Sequence, residues 1–340
     1  MSITVNTKQA TELLVDCLKA RLVPMLTGSP GIGKSSIVYD IANEYNLDVI
    51  DMRLSQCDPT DLLGFPRVEG DKASYAPMNT FPLETDSLPD GKDGWLLFLD
   101  EFNSAPMAVQ AAAYKLTLDR MVGLHKLHPN VIVMCAGNLQ TDNAIVNRLS
   151  TAMQSRLVHL ELSTDFEAWL EWAHKAHIDT RVTSYIEFKP NNLYQFSPSH
   201  NDRTFACPRT WEFVSRLIKN WKEIDQSKIA LIAGTVSEGV AREFVAFCRE
   251  FEQLPKISSI ISNPTGTIVP SEPSTRYAVA GAVGAHMNPD NAEKLMEYVE
   301  RLPPEFQHIT LRGAIKRTPA LFSHASVSKW IDDKAVEFFA

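Results

Sequence analysis

The stretch that decides the fold is Gly28-Ser29-Pro30-Gly31-Ile32-Gly33-Lys34-Ser35. It comes directly after the short apolar run of residues 22–27 and directly before a segment whose apolar residues recur at helical spacing. The glycines allow a tight turn that points successive backbone N–H groups inward, and the N-terminus of the following helix adds a partial positive charge. We therefore predict that this loop, extended by Ser36, holds phosphate groups.

Two side chains at the end of this loop carry the chemistry. Lys34 is placed to reach the β- and γ-phosphates of a bound nucleotide, and the Ser35 hydroxyl is placed to ligate Mg²⁺. A glycine-rich turn without a ligand is the alternative, but a chance match to the whole pattern between a strand and a helix is rare. The sequence therefore predicts a nucleotide and Mg²⁺ as the ligands of this loop.

Further apolar runs at residues 49–54, 95–99, 131–136 and 157–162 alternate with helical patterns. This alternation predicts an α/β fold, in which helices cover both faces of a largely parallel sheet. Pro24 lies inside the first run, where it cannot donate a hydrogen bond to a neighbouring strand. The strand prediction is therefore weaker for the first half of that run.

Two acidic residues follow the run of residues 95–99, and they are Asp100 and Glu101. Open α/β sheets bind ligands at the carboxyl ends of their strands, which is where this pair is expected. Asp100 is suited to hold Mg²⁺, and Glu101 is suited to polarise an attacking water as a general base. The alternative is that both residues cap the next helix, whose first turn is marked by Pro106.

The composition excludes several classes of protein. The 340 residues include 33 Lys and Arg against 41 Asp and Glu, a formal net charge of −8, which is unfavourable for coating nucleic acid. The apolar runs are too short to span a bilayer, and the five cysteines occur singly rather than in metal-binding or redox pairs. These features are typical of a cytoplasmic protein with reduced thiols, and the length suggests two or three domains.

After about residue 163 the strand signal ends and only helical patterns remain. We predict about seven short helices there, interrupted by a Pro- and Ser-rich stretch near residues 254–273. The predicted domains are a nucleotide-binding core over residues 1–163, a helical domain over 164–253, which the resemblance described below makes a lid, and a helical C-terminal extension over 254–340. His174 and His177 lie three residues apart in one predicted helix, where a solvated face is expected rather than a metal pair.

Together, the phosphate loop and the acidic strand end resemble the Walker A and Walker B elements of AAA+ ATPases, specifically of the MoxR class. The resemblance covers about residues 5–220 and includes residues 54–64. It also includes Asp100-Glu101-Phe102-Asn103-Ser104-Ala105-Pro106, which is similar to the family's Asp-Glu-Ile-Asn-Arg-Ala-Pro. The resemblance implies a P-loop αβα sandwich with strand order 5-1-4-3-2, followed by an all-α lid and a helical extension.

The resemblance also implies roles for three residues outside the two Walker elements. Asn138, after the fourth strand, takes the place of sensor 1, which orients the lytic water; an ordinary turn residue is the alternative. Arg156 takes the place of the arginine finger that reaches a neighbouring subunit's nucleotide, with Arg148 as its rival, although leucine replaces the usual aromatic residue after it. Arg209, next to Pro208, takes the place of sensor 2 in the lid.

The family further implies Mg²⁺-dependent ATP hydrolysis by a ring-shaped homo-oligomer, expected to be hexameric. Its relatives remodel or mature protein complexes, often with a von Willebrand factor A-type adaptor, so a protein client is expected and nucleic acid is not favoured. Two alternatives stay open, namely a nucleic-acid motor or loader ATPase and a nucleotide-dependent binding scaffold with little turnover.

Two loops have open interpretations. Residues 67–94, with Tyr75, Met78 and Phe81, correspond to an insert of the MoxR class and form either a substrate-binding loop or a passive one. Residues 121–127 form either a short hairpin, as in relatives, or a plain loop.

Overall fold

The computed structural model describes residues 3–142, 146–199, 202–252 and 254–338. The chain divides into two compact units, Met1–Asp165 and Phe166–Ala340. In the part of the chain that the structure describes, no helix combines the length and the apolar character needed to cross a bilayer.

The first unit alternates strands with helices, as the sequence predicts. Its strands are β1 (Thr4–Val5), β2 (Pro24–Thr27), β3 (Leu47–Arg53), β4 (Phe65–Glu69), β5 (Lys72–Ala76), β6 (Gly94–Asp100), β7 (Met121–Val122), β8 (His125–Lys126), β9 (Val131–Gly137) and β10 (Val158–Leu162). Its helices are α1 (Thr7–Lys19), α2 (Lys34–Glu44), α3 (Pro59–Leu63), α4 (Met107–Leu118) and α5 (Thr151–Gln154).

Six of these strands form one parallel sheet in the order β1-β10-β2-β9-β6-β3. The five strands predicted from the sequence therefore have the order 5-1-4-3-2, which confirms the predicted fold class. The short strand β1 was not predicted, and it adds an edge strand beside β10. Pro24 is the first residue of β2, a position at which a missing N–H donor is tolerated.

The central strand β6 explains why a polar site forms at its end. Its residues from Gly94 to Leu99 are buried, whereas Asp100 is only half-buried. A strand covered on both faces is typical of the interior of a parallel sheet, so only its carboxyl end can present polar side chains.

Two antiparallel hairpins project from this sheet. β4 and β5 form the first, which begins two residues before the predicted insert, and β7 and β8 form the second, so residues 121–127 are a hairpin rather than a plain loop. Gly123, in the turn of the second hairpin, adopts φ +57°, and a Cβ there would lie 2.8 Å from the carbonyl oxygen of Leu63. The second hairpin therefore packs closely against the end of α3.

The second unit is entirely helical over its described residues. Its ten helices are α6 (Phe166–Lys175), α7 (Thr180–Phe188), α8 (Pro208–Ile218), α9 (Ile229–Val236), α10 (Glu238–Glu252), α11 (Ile257–Ser262), α12 (Pro273–His286), α13 (Ala292–Val299), α14 (Pro304–Arg317) and α15 (Ala325–Phe338). The sequence predicted about seven, because a short helix such as α11 leaves too few turns for a clear period. One apolar core lies mainly within residues 169–248 and a second within 260–330.

The prediction of a solvated face for His174 is wrong. Its ring is only 4% exposed, because α14 packs on α6 and the Cβ-free Gly313 faces the ring. His177, beyond the end of α6, is exposed as predicted. A helical period shows which residues share a face, but it does not show how many further helices cover that face.

Candidate nucleotide-binding site

The predicted site residues follow three neighbouring strands. β9 lies between β2 and β6, and all three run in the same direction. The phosphate loop follows β2, the acidic pair ends β6, and Asn138 follows β9. Because parallel strands end at the same edge of a sheet, these elements meet where open α/β sheets bind ligands.

The backbone of the phosphate loop explains its glycines. Gly31 and Gly33 adopt φ +77° and φ +102°, in the left-handed region that favours glycine. A Cβ on Gly28 would lie 2.7 Å from Cδ1 of Ile32 and 3.0 Å from the carbonyl oxygen of Leu162. The helix α2 begins directly at Lys34, so its N-terminus opens into the loop and can supply N–H donors to an anion.

Lys34 joins the loop to the neighbouring strand end. Its side chain is buried, at 9% exposure, and its Nζ donates hydrogen bonds to the carbonyl oxygens of Gly28, at 2.6 Å, and Ser29, at 3.0 Å. The same Nζ donates to Oδ1 of Asn138 at 3.2 Å. The structure thus brings together two residues that are 104 positions apart in the sequence and that were both predicted for the site.

Asp100 has the electrostatic character of a cation ligand. Burial raises the pKa of its carboxyl above the ordinary value, and the charges of Asp51 and Glu101 add to this rise. The backbone N–H of Glu101, which donates to Oδ1 at 2.8 Å, and the charge of Lys34 act against it. A carboxylate in such surroundings is stabilised by a nearby cation.

The donor set fits Mg²⁺, which takes few ligands from the protein. Over the described residues, no group of three or more His, Cys, Asp and Glu side chains could hold a metal ion. Mg²⁺ usually keeps several waters and binds through one or two carboxylates together with substrate phosphates. Asp100 and the Ser35 hydroxyl, beside a triphosphate, supply oxygen ligands of this kind.

Glu101 is held in an uncommon backbone conformation. Its φ is +54°, which few residues other than glycine adopt, and such backbone strain concentrates at functional sites. The hydroxyl of Ser55 donates a hydrogen bond to Oε2 of Glu101. Glu101 is the N-cap position of the 3-10 turn Phe102–Ser104, without a capping hydrogen bond from its side chain, and it does not cap α4, whose N-cap is Pro106. Ser55 was missed by sequence reasoning, although its place just after β3, the strand paired with β6, is a usable signal.

Asn103 is a second site residue that sequence reasoning missed. It lies in the short 3-10 turn Phe102–Ser104, and its side-chain amide hydrogen-bonds to the backbone of Asn138. The resemblance to the family included this asparagine but assigned it no role.

The three predicted arginines are exposed side chains at different places in the chain. The guanidinium of Arg156 lies 4.4 Å above the ring centroid of Tyr114 and donates to the carbonyl oxygen of Ala152 at 3.4 Å. Arg148 is exposed in the segment that precedes α5. Arg209 is the second residue of α8, in the other unit. Their roles stay predictions.

The sequence comparison identifies the class of this domain. The profile of the family described as "ATPase family associated with various cellular activities (AAA)" matches residues 24–158. This range contains the phosphate loop, the acidic end of β6 and Asn138. Residues 24–158 of the first unit are therefore similar to AAA-type ATPase domains. No curated protein sequence matches the chain.

Solved structures give weak overall similarities. NtrX from Brucella abortus has 13% sequence identity and a TM-score of 0.41, over 98% of this chain and 69% of its own. A variant of RuvB from Thermotoga maritima has 16% identity and a TM-score of 0.39, over 76% of this chain and 75% of its own. At values this low, the similarities say nothing about activity.

Proposed function

We propose that this chain is a Mg²⁺-dependent ATPase of the MoxR class. The observation that carries the proposal is the position of the Lys34 ammonium. It hydrogen-bonds both to the phosphate loop and to Asn138, and its charge acts on Asp100 at the end of β6. A nucleotide whose phosphates lie on this loop has the acidic pair and Asn138 beside its γ-phosphate.

Each residue then has a part in hydrolysis. The amides of residues 28–36 and Lys34 bind the phosphates, and Ser35 and Asp100 would hold Mg²⁺, which would supply neutralisation of the phosphate charge. Glu101 accepts a proton from the attacking water, and Asn138 orients that water. Ser55 positions the Glu101 carboxylate through its hydrogen bond.

A turnover assay tests this chemistry in the wild-type chain. We expect release of inorganic phosphate from ATP that depends on Mg²⁺. An absence of turnover despite ATP binding would favour the binding scaffold, and strong stimulation by DNA would favour the motor or loader ATPase.

We further propose that the active assembly is a ring of identical subunits in which Arg156 completes the neighbour's site. Arg156 is exposed, and its stacking on Tyr114 holds the guanidinium in a defined direction at the surface. An arginine supplied in trans is worth about 10³ to 10⁵ in rate.

Mixing two inactive variants tests this shared site. Arg156→Ala keeps Glu101, and Glu101→Gln keeps the finger, so rings that contain both should regain activity that neither variant has alone. The matched variant Arg148→Ala should retain activity by itself. If Arg148→Ala is inactive and is rescued in the mixture while Arg156→Ala is active, then Arg148 is the finger.

We propose that the substrate remodelled by ATP hydrolysis is a protein. The two hairpins carry large apolar side chains that are exposed, and these are Phe65, Val68, Tyr75 and Leu124. Such side chains can contact unfolded or partly unfolded polypeptide, as remodelling requires. Capture with Glu101→Gln and ATP should retain a protein client, with or without a von Willebrand factor A-type adaptor. Substituting Phe65 and Tyr75 by serine should release that client without lowering the basal ATPase rate.

A further inference from the structure

Asn103 pairs with the backbone of a single residue, Asn138, at the neighbouring strand end. Its Nδ2 donates to the carbonyl oxygen of Asn138 at 2.8 Å, and its Oδ1 accepts from the backbone N–H of Asn138 at 3.1 Å. The side chain is buried, at 6% exposure. Both hydrogen-bonding groups of one backbone residue are thus satisfied by one side-chain amide.

The end of β9 leaves space for the side-chain amide of Asn103. A Cβ on Gly137 would collide with Oδ1 of Asn103 and would lie 2.7 Å from Cε of Met25. Gly137 does not have a left-handed φ, so its requirement for glycine comes from close approach rather than from backbone conformation. The backbone at residues 137 and 138 therefore lies directly against the Asn103 side chain.

The two hydrogen bonds between the Asn103 side chain and the Asn138 backbone are called the clamp below. The clamp connects the segment that carries the proposed general base, Glu101, with the residue proposed to orient the water, Asn138. Asn103 is two residues beyond Glu101 in the chain, whereas Asn138, whose backbone it holds, carries the side chain that contacts Lys34. A rigid connection of this kind fixes the distance between the residue that takes the water's proton and the residue that orients the water.

We propose that Asn103 is a positioning residue for hydrolysis, acting through Asn138. This inference rests on the proposed ATPase function. Misplacing a catalytic group by about 1 Å can lower a rate about 100-fold, whereas phosphate binding depends mainly on the loop amides and Lys34. Loss of the clamp should therefore lower kcat and leave nucleotide affinity nearly unchanged.

Gln110 provides a matched control for the loss of a buried amide. It is 5% exposed, and its Nε2 donates to the carbonyl oxygen of Ala105 at 3.0 Å, but it has no hydrogen bond to Asn138. Replacing Gln110 by alanine therefore removes a similar buried hydrogen bond near the same turn. Stability effects common to both variants cancel in the comparison.

The experiment compares Asn103→Ala with Gln110→Ala by thermal unfolding, ATP affinity and turnover. Both variants should unfold at a lower temperature than the wild type. Asn103→Ala should lower kcat about 10- to 100-fold with the Kd for ATP changed less than about threefold, and Gln110→Ala should keep kcat within about twofold. Equal kcat in the two variants would overturn the proposal.

A double-mutant cycle tests the contact directly. Gly137→Ala should lower kcat because its new methyl group displaces the Asn103 amide. In the Asn103→Ala background the methyl group no longer meets the Asn103 amide, and its remaining close contact is the flexible end of Met25, so the double variant should have a kcat within about twofold of Asn103→Ala alone. Multiplicative losses would show that the two residues act independently, which contradicts the proposal.

Hydrogen exchange separates failure of the clamp from failure of the ATPase proposal. The amide of Asn138 should exchange slowly in the wild type and in Gln110→Ala, and faster in Asn103→Ala. If the wild type hydrolyses no ATP, the proposed function fails and the kinetic role of Asn103 fails with it. If the wild type turns over ATP and exchange at Asn138 is unaffected by Asn103→Ala, the clamp alone is wrong.

Discussion

Each unit of the chain contains buried charge, but the two units satisfy it differently. The phosphate-loop cluster consists of Gly28, Lys34, Asp100, Glu101 and Asn138. In it, the Lys34 ammonium donates to backbone and side-chain oxygens at the carboxyl ends of the central strands. In the α14 cluster (Glu167, Glu171, His174, Glu187, Arg312, Lys316 and Arg317), cations and carboxylates pair with one another. Arg312 contacts Glu167 at 2.6 Å and Glu187 at 3.1 Å, and Lys316 contacts Glu171 at 2.7 Å.

The difference indicates which cluster serves a ligand and which serves the fold. Charges that pair with one another hold α14 against α6 and α7, so their loss should lower the stability of the second unit. The Lys34 ammonium, which is held by oxygens of the loop and of Asn138 at the ends of the strands, can exchange some of those hydrogen bonds for bonds to phosphate oxygens. Substitutions in the phosphate-loop cluster should therefore change binding and turnover more than they change stability.

The largest expected effect is that of Lys34→Ala on nucleotide binding. Removal of the cation beside the phosphates should weaken ATP binding by about 4 kcal/mol, roughly a thousandfold in Kd. Lys115→Ala is the matched control, because Lys115 also donates to a backbone carbonyl of the first unit, that of Gly123 at 3.2 Å, but away from the loop. Titration calorimetry should show loss of binding only in the first variant. Equal affinities would place the nucleotide elsewhere.

The next effect is that of Arg312→Met on the stability of the second unit. The variant breaks the ion pairs of Arg312 with Glu167 and Glu187 and removes the cation that opposes the rise in the pKa of the buried Glu187 carboxyl, which should lower the free energy of unfolding by about 3 kcal/mol. Lys294→Met removes an exposed pair with Glu297 and should change stability little. Chemical unfolding measures both variants, and ATP affinity should be the same in each. A nucleotide-binding defect in Arg312→Met would contradict the assignment of the α14 cluster to the stability of the fold alone.

A smaller effect on stability is expected when two glycines of the second unit are replaced by alanine. A Cβ on Gly281 would collide with Oγ of Ser184, so Gly281→Ala should destabilise the unit by about 2 kcal/mol. Among the described residues, and apart from the backbone of its own helix, nothing lies within 4 Å of a Cβ added to Gly234 in α9, so Gly234→Ala should stabilise its helix by up to about 1 kcal/mol. Thermal unfolding should therefore shift in opposite directions. Shifts of the same sign would contradict the close packing of α12 on α7.

The smallest effect concerns pH. Burial lowers the pKa of His174 to about 3, with the charges of Arg317, Arg312 and Lys316 adding to the shift. Burial also raises the pKa of Glu187 to about 7, against the attraction of Arg312. Between about pH 4.5 and 6.5, the unfolded chain therefore binds more protons than the folded chain at the histidine and fewer at the glutamate. The two contributions to unfolding free energy have opposite slopes.

Two variants separate these slopes. Glu187→Gln leaves only the histidine, so stability should rise with pH across this window. His174→Gln leaves only the glutamate, so stability should fall as pH rises. Urea unfolding at several pH values measures both slopes, and slopes of equal sign would show that these groups do not titrate as their burial implies.

Local sequence patterns were sufficient to predict most of the sheet and of the candidate site in the first unit. The five strands that pair with one another beyond β1 in the main sheet are rich in apolar residues. The phosphate loop and the acidic pair are each contiguous in the chain, so both could be found without tertiary information. The strand order came from the resemblance to the family. The two-residue strand β1 was missed because a pair of residues has no detectable period.

Contacts between distant segments could not be predicted from the sequence. Ser55 and Asn103 are ordinary polar residues in turns, and their importance comes from meeting Glu101 and Asn138 after the sheet has formed. His174 has the helical spacing of a surface residue, and only the packing of α14 buries it. Sequence patterns therefore located the site, and tertiary pairing supplied the residues that support it.

The central claim is that the phosphate loop and the acidic end of β6 act on the same triphosphate. Its most direct test is the turnover of saturating Mg²⁺-ATP by Glu101→Gln, measured together with the amount of ATP that the variant retains. Loss of the general base should lower turnover by at least about 100-fold while ATP stays bound. Hydrolysis by Glu101→Gln at the wild-type rate would contradict the account.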